Sequence, residues 1–410
     1  MDDQALESAS LLLLRDGLPD LVDTGPALDR VLRAVASGTG PVAVDAERAS
    51  GYRYSQRAYL VQLRRAGAGT ALIDPIPFGD VPNCSLAPLA DAVGDWEWII
   101  HAASQDLPCL AQLGLQPARL FDTELAGRLL NYPRVGLAVL VEDLLGFSMR
   151  KEHSAVDWSR RPLPQPWLEY AALDVEMLIE LKDALAAQLL AAGKADWAAQ
   201  EFAMWVSSGP AAPRLEPWRR TSGIHRVRGR RKLAIVRAIW EHREALARSR
   251  DIAVGRILHD SAIVEAASLA PTSRSALGRL AGFRTRNAQR YLTEFAAAVC
   301  EALALPDSEL PQLSATLDGP PPPRTWGVKF PEAAARLGRG REVVNALAAQ
   351  RDVPPENLLA PDAIRRLAWT PPAPPTPKTV ADALRDYRAR PWQVELTAAA
   401  LAAALESPRQ

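Results

Sequence analysis

The chain has 410 residues, 48% of them hydrophobic, which is too long for one ordinary domain and gives ample apolar surface for two or three packed cores. No run approaches the roughly 18 apolar residues of a membrane span. Three cysteines (Cys84, Cys109, Cys300), far apart and in no CxxC pattern, exclude a disulfide framework and a thiolate zinc site. The zero net charge hides a division. Residues 1–205 hold 17 basic and 28 acidic side chains, a net −11, whereas residues 206–410 hold 31 and 20, a net +11. Within 213–290 the count is 18 basic to 6 acidic. A basic module beside an acidic one suits a polyanion partner for the second half and cation or carboxylate chemistry in the first. Mutual attraction of the halves, or solvated charged faces, explains the same numbers. Arg outnumbers Lys 42 to 6, which reflects a GC-rich genome rather than function.

In chain order, MDDQALESASLLLLRDG has a short apolar stretch but acidic flanks and no basic n-region, so a cytoplasmic protein is expected. PVAVDAE (41–47), AYLVQLR (58–64) and TALIDP (70–75) read as strands of an antiparallel meander. A helix at about 85–93 precedes a buried strand, WEWIIHA (96–102). DLPCLAQLG (106–114) and TELAGRLLN (123–131) read as helices, and helical periodicity runs from Gln165 to about Ala192. This mixture predicts an α/β domain with a mixed sheet over residues 1–206. SSGPAAPRLEP (207–217) opens a linker placed at 207–225. Every periodic stretch beyond it is helical: about 229–248, 261–269, 273–281 and 285–304. A first helical domain is therefore expected at 226–305. A stiff spacer at 306–323 ends in Gly319 and four prolines, and a less regular helical domain follows at 324–410, with a proline-rich loop at 371–378.

The chemistry sits on scattered carboxylates. Asp45 and Glu47, two apart on a strand, share a face. Like charges held so close favour a divalent cation between them, although a DxE at a solvated strand end also arises by chance. Asp106 falls at a helix N-terminus, where an ordinary cap is the simpler account. Tyr170 and Asp174, four apart, lie on one helical face and suit either a site or a surface pair.

The order of these residues, DxE on the first strand, Asp after a later strand and YxxxD on a C-terminal helix, resembles the tyrosine-containing branch of the DEDD exonuclease superfamily. The surrounding text resembles ribonuclease D. VAVDAERASGYRYSQRAYLVQL is similar to that family's first motif, HAASQDLPCL with FDTELAGRLL to its second, and KEHSAVDWSRRPLPQPWLEYAALDVEMLIEL to its third. HRVRGRRKLAIVRAIWEHREALARSRDIAVGRILHDSAIVEAA resembles an HRDC domain. The resemblance implies an α/β ribonuclease H-like exonuclease domain with a mixed sheet, followed by two all-α HRDC-like domains, the second divergent. Gln105 stands where many relatives carry an acid, a departure of little consequence because the metal role belongs to Asp106.

The resemblance further implies a 3′→5′ exoribonuclease acting on single-stranded RNA ends, tRNA precursors among them, to give 5′-nucleoside monophosphates. Two Mg²⁺ or Mn²⁺ ions roughly 4 Å apart would be held by Asp45, Glu47, Asp106 and Asp174. Asp45 would bridge both, Glu47 and Asp174 would complete the site on the attacking side, and Asp106 the site on the leaving side. Tyr170 would orient the water. With a pKa near 10 it is a poor base unless the metals perturb it.

Other readings stay open. Tyr52, Arg53, Tyr54 and Arg57 could stack bases and grip phosphates, or form a solvated hairpin loop. Arg150, Lys151, Arg160 and Arg161 around Trp158 could line the entry for a 3′ end or form surface ion pairs. His101 is expected to be a satisfied core histidine, and Asp122 and Thr123 helix caps. Arg226, Arg228, Arg230, Arg231 and Lys232 are the best phosphate contacts in the first helical domain. A monomer with no obligate protein partner and no membrane is expected. A DNA exonuclease of the same superfamily and a catalytically silent nucleic-acid scaffold are the rival readings.

Overall fold

The β-branched run near residue 42 becomes the middle of a sheet. The computed structural model describes residues 9–80, 85–150, 155–209, 214–313 and 319–406; Cys84 and Lys151 lie outside them. Eight strands occur among these residues: β1 (Ser10–Leu11), β2 (Leu21–Val22), β3 (Thr39–Arg48), β4 (Ala58–Ala66), β5 (Gly69–Ile73), β6 (Glu97–Ile100), β7 (Arg119–Asp122) and β8 (Phe147–Ser148). Six form one sheet in the order β2-β5-β4-β3-β6-β7, and β1 pairs with β8 apart from it. The expected meander is present: β3 pairs antiparallel with β4, and β4 with β5. On the other side β3 runs parallel to β6, and β6 to β7, so the sheet is mixed. Val42, Ala43 and Val44 are completely buried because helices cover both faces here, which also explains their unbroken apolar run.

Asp45 and Glu47 lie at the far end of β3, opposite Gln62 and Leu60 of β4. The face they share is covered by the helix Gln165–Glu176, whose Ala171, Ala172 and Val175 are buried. The periodic stretch expected as one helix to Ala192 is two. It breaks at Met177 (φ −111°, ψ 6°) before the helix Leu178–Ala191 resumes. The cause lies far off in sequence. The Arg15 guanidinium donates to the Glu176 carbonyl at 2.6 Å, the acceptor that a continuing helix would use. Arg15 Nε and Arg64 also pair with the buried Glu176 carboxylate, at 2.7 and 3.0 Å.

The first helical domain has its own core. Leu233, Ile235 and Ile239 of the helix Arg230–Arg250 pack with Phe283, Phe295 and Val299. That core also takes in Trp218 and Leu310, from within the two segments read as linkers. The second helical domain is built differently. Its buried residues, among them Trp326, Leu337 and Leu401, belong to one hydrophobic cluster with those of the sheet domain. Glu201, 3% exposed, anchors the junction. Its carboxylate accepts from Arg390 at 2.8 and 2.5 Å and from the Trp392 indole at 3.0 Å, and the Trp392 ring stacks on Trp197 at 4.6 Å. Lys194 Nζ adds a bridge, donating to the carbonyls of Leu129 and Asp352. No described helix is long and apolar enough to cross a membrane.

Removing one partner of a buried charge pair strands the other. The Glu201→Ala protein should therefore lose about 3 kcal/mol of unfolding free energy, read by urea denaturation with tryptophan fluorescence. Replacing Arg390 by Met as well should restore part of it. An unchanged denaturation midpoint for Glu201→Ala would mean that this pair does not hold the two domains together.

Candidate active site

Three acids separated by 129 positions of sequence meet in space. One carboxylate oxygen from each of Asp45, Glu47 and Asp174 lies within 4.8 Å of the others. Period-two geometry of β3 puts the first two on one face, and the helix Gln165–Glu176 lowers Asp174 onto that face. Tyr170, one helical turn earlier, is hydrogen-bonded to the Asp174 carboxylate, its phenol donating. Asp106 completes the group through a side-chain hydrogen bond with Asp45. It occupies the N-cap position of the helix Leu107–Gln112, yet its side chain makes no capping bond. The residue is buried, and its carboxylate turns toward Asp45 instead.

What aims Asp106 is Asp122. One oxygen of Asp122 accepts from the backbone of Ala102, Glu124 and Leu125, the other from Ala103. It thus caps the following helix, as expected, and also holds the turn after β6 in which Ala102 takes the left-handed φ of 61°. A non-glycine residue there costs on the order of 1–2 kcal/mol; the two bonds to the turn offset that cost.

The electrostatics are those of crowded carboxylates. Burial first, then neighbouring acids, push the pKa values of Glu47 and Asp174 well up. Burial also raises that of Asp45 against the pull of Arg48, and Asp106 reaches about 8. Burial and the same acids raise the Tyr170 pKa, so the phenol stays protonated and acts as a donor. His101, its Nδ1 2.9 Å from Thr123 Oγ1, is pushed by burial to about 4, a neutral core histidine as expected. Burial pushes Cys109 up to about 12 and leaves an inert thiol.

This donor set fits a divalent cation. It offers only hard oxygen ligands, the preference of Mg²⁺ or Mn²⁺ over softer metals. A further sign is Gln62, cross-strand from Asp45 and fully buried, whose amide oxygen and nitrogen both lack a hydrogen-bond partner. An amide buried with both atoms unpaired is rare in folded proteins.

The basic and aromatic candidates fall differently. The Tyr52 and Tyr54 rings lie under the guanidinium groups of Arg256 (4.0 Å) and Arg248 (5.7 Å). Arg53 donates to Ser159 Oγ, and Arg57 sits over Tyr59. The 51–57 loop is therefore no free hairpin but is gripped by the first helical domain. Ala253 N donates to the Tyr52 carbonyl, Arg256 to that of Gly51, and Ser55 N to Asp251 Oδ1 at 2.8 Å. Between these parts opens a cleft of ≈ 1080 Å³, lined by Tyr52, Arg53, Arg256, Arg286 and Asn287 among others. Arg226 and Arg228 are exposed. Their neighbours are spent on the fold. Arg230 donates to the carbonyls of Asp307, Leu310 and Pro311, Arg231 to those of Leu303 and Leu305 and to the Asp307 carboxylate, and Lys232 to that of Ser268. Ahead of the helix Gln165–Glu176, Arg160 and Arg150 are exposed, while Arg161 makes a bidentate pair with the buried Asp74 at 2.5 and 2.7 Å. Sequence reasoning did not find Arg48, Gln62 or Asp74; only the place of Arg48 beside the DxE hinted at one of them.

A family model described as "3'-5' exonuclease" matches residues 19–190, "HRDC domain" matches 232–299, and "3' to 5' exonuclease C-terminal domain" matches 319–405. The chain is 34% identical to ribonuclease D of Gluconacetobacter diazotrophicus, over 80% of this chain and 81% of that one. It is 35% identical to ribonuclease D of Acidiphilium cryptum, over 74% and 77%. Among solved structures, a protein from Bifidobacterium adolescentis superposes with a TM-score of 0.88 at 39% identity, covering 97% of this chain and all of that one. Escherichia coli RNase D superposes with a TM-score of 0.66 at 25% identity, over 90% and 97%.

Raised carboxylate pKa values make the folded state bind protons that the unfolded chain has released. Without metal, stability therefore falls as pH rises from about 4 through the folded-state values, about 8 for Asp106. A cation that replaces those protons stabilises more as pH rises through the same window. The Tm increase given by Mn²⁺ should thus be larger at pH 8 than at pH 6. Asp174→Asn should raise the metal-free Tm at pH 8 and lose most of the Mn²⁺ response. A pH-independent Mn²⁺ shift would contradict this account.

Proposed function

Because this chain belongs to the ribonuclease D family and is a 3′→5′ exoribonuclease, we propose that it trims single-stranded RNA 3′ ends with two Mg²⁺ or Mn²⁺ ions, releasing 5′-nucleoside monophosphates. The observation that carries the proposal is the convergence of Asp45, Glu47 and Asp174 oxygens within 4.8 Å, with Asp106 and Tyr170 hydrogen-bonded to members of that set. When bound, the cations supply Lewis acidity that acidifies water and neutralises charge on the departing 3′ oxygen. Asp45 would be shared between them, with Glu47 and Asp174 on the attacking side and Asp106 on the leaving side. Tyr170, kept protonated by burial, is a hydrogen-bond donor. Its role in the proposal is to orient the attacking water through the phenol rather than to take its proton. The water's proton passes to solvent.

The cleft beside the 51–57 loop is the proposed path of the RNA tail. Arg53, Arg256 and Arg286 line it and offer fork-shaped donors to phosphates. Arg226 and Arg228 are the exposed remainder of the basic cluster on the same domain. Precursor tRNA 3′ ends, a cytoplasmic setting and a monomeric enzyme complete the reading.

Incubated with a 3′-extended tRNA and Mg²⁺ or Mn²⁺, the protein should shorten it one nucleotide at a time, and chelator should stop the reaction. Asp45→Asn or Asp174→Asn should lower kcat by on the order of 10²–10³ while RNA affinity stays within a few-fold. An RNA oligomer should be degraded faster than DNA of the same sequence. Equal rates would favour the DNA exonuclease reading, and undiminished activity in both variants would remove the mechanism.

A further inference from the structure

The helix that carries Tyr170 and Asp174 is closed from outside itself. It stops at Glu176, two residues after Asp174, and Arg15 spreads its guanidinium over that end. Nη2 donates to the Glu176 carbonyl at 2.6 Å, Nε to the Glu176 carboxylate at 2.7 Å and Nη1 to the Glu180 carboxylate at 2.6 Å. Glu180 belongs to the next helix, Leu178–Ala191, so one side chain clamps both sides of the break at Met177. Arg64 of β4 meets the same Glu176 carboxylate at 3.0 Å and also holds Asp16 and Thr70, but it is Arg15 that takes the carbonyl. Arg15 is itself anchored. Ser10 N donates to the Gly146 carbonyl and Leu12 N to that of Ser148. Leu12 is buried, and Leu14 and Leu18 pack against the apolar cluster that contains Ala171 and Ala172, as Tyr170 does. The Arg15 side chain is 47% exposed and that of Glu176 1%, so Arg15 closes the helix without filling a core.

We infer that Arg15 is a positioning residue for the reaction: its fork on Glu176 and Glu180 fixes the helix end, and with it the reach of Asp174 and Tyr170 to Asp45 and Glu47. The inference rests on the metal-dependent reading above. Its physics is that of a helix terminus. The last four carbonyls of a helix have no partner within it, and such ends fray. Asp174 lies inside that last turn. A guanidinium on the final carbonyl satisfies an acceptor, and its positive charge suits the negative end of the helix. Besides burial, the groups acting on the Asp174 carboxylate itself are Asp45 and Tyr170, so Arg15 works through position rather than through its field at that acid. The chemistry is sensitive to position, since a displacement of about 1 Å can cost on the order of 10² in rate.

The test compares the full-length wild type, Arg15→Met and Arg64→Met by RNA trimming and by Mn²⁺ calorimetry, at a temperature below the Tm of all three. Arg15→Met should lower kcat by on the order of 10–100-fold, leave KM for RNA within a few-fold of the wild type, and weaken Mn²⁺ binding about tenfold. Arg64→Met removes charge from the same Glu176 carboxylate but leaves the carbonyl bond, so it should lower Tm while kcat and Mn²⁺ affinity stay near the wild type. A residue with a merely structural role would lower Tm alone. Should Arg15→Met not fold, Arg15→Lys decides. It keeps a charge against Glu176 with one nitrogen in place of a fork, and kcat should fall about tenfold. Wild-type kcat and Mn²⁺ affinity in a folded Arg15 variant overturn the inference, as does an equal loss of both in Arg64→Met. A wild type that neither binds Mn²⁺ nor trims RNA would instead sink the metal reading, and this inference with it.

Discussion

Four carboxylates crowded together and partly withdrawn from water repel one another, and the rest of the molecule is arranged to hold them there. Burial alone raises each of their pKa values, and their neighbours raise Glu47, Asp106 and Asp174 further. An isolated strand end or helix would relieve this by turning the side chains into solvent. Here β3 is fixed at the centre of a mixed sheet, and Asp122 fixes the turn that presents Asp106. Arg15 and Arg64 secure the end of the helix that carries Tyr170 and Asp174. Local free energy is given up at this cluster, and the arrangement leaves hard oxygen donors in place to suit a cation.

The same economy of charge governs the domain arrangement. Several arginines that a sequence count assigns to a nucleic-acid surface are internal fasteners. Arg390 holds Glu201, Arg161 holds Asp74, and Arg230 and Arg231 close the carbonyls of the segment after the first helical domain. Fewer exposed basic groups remain for a polyanion than the net +12 over residues 213–290 suggests. The two helical domains also differ in kind. The first has a separate core, against which Tyr54 of the 51–57 loop packs beside the polar contacts, whereas the second shares the core of the sheet domain. The first grips Tyr52 and Ser55 of the loop that follows β3.

Much of the site was legible because its chemistry is written locally. DxE reads as two acids on one face whatever the fold, and YxxxD reads as a phenol above a carboxylate on any helix. The meander 41–75 was equally legible, since hydrophobic runs and their lengths decide strands in a buried sheet. The break at Met177 was not, because its cause is an arginine 162 residues away. The double duty of Asp122 was half legible: its capping role is local, its hold on Ala102 and Ala103 is not.

The sequence by itself determined which atoms are available: four acids and a tyrosine in a set order, a strand–helix rhythm for the catalytic domain, and helical periodicity after it. Those are properties of neighbours along the chain, where propensity and periodicity act. Tertiary structure alone decided that Asp106 faces Asp45 instead of capping its helix, that Arg15 closes the helix that carries Asp174, and which arginines are spent inside. Those outcomes depend on the distance between groups far apart in sequence, and electrostatic energy depends on distance and burial rather than on order.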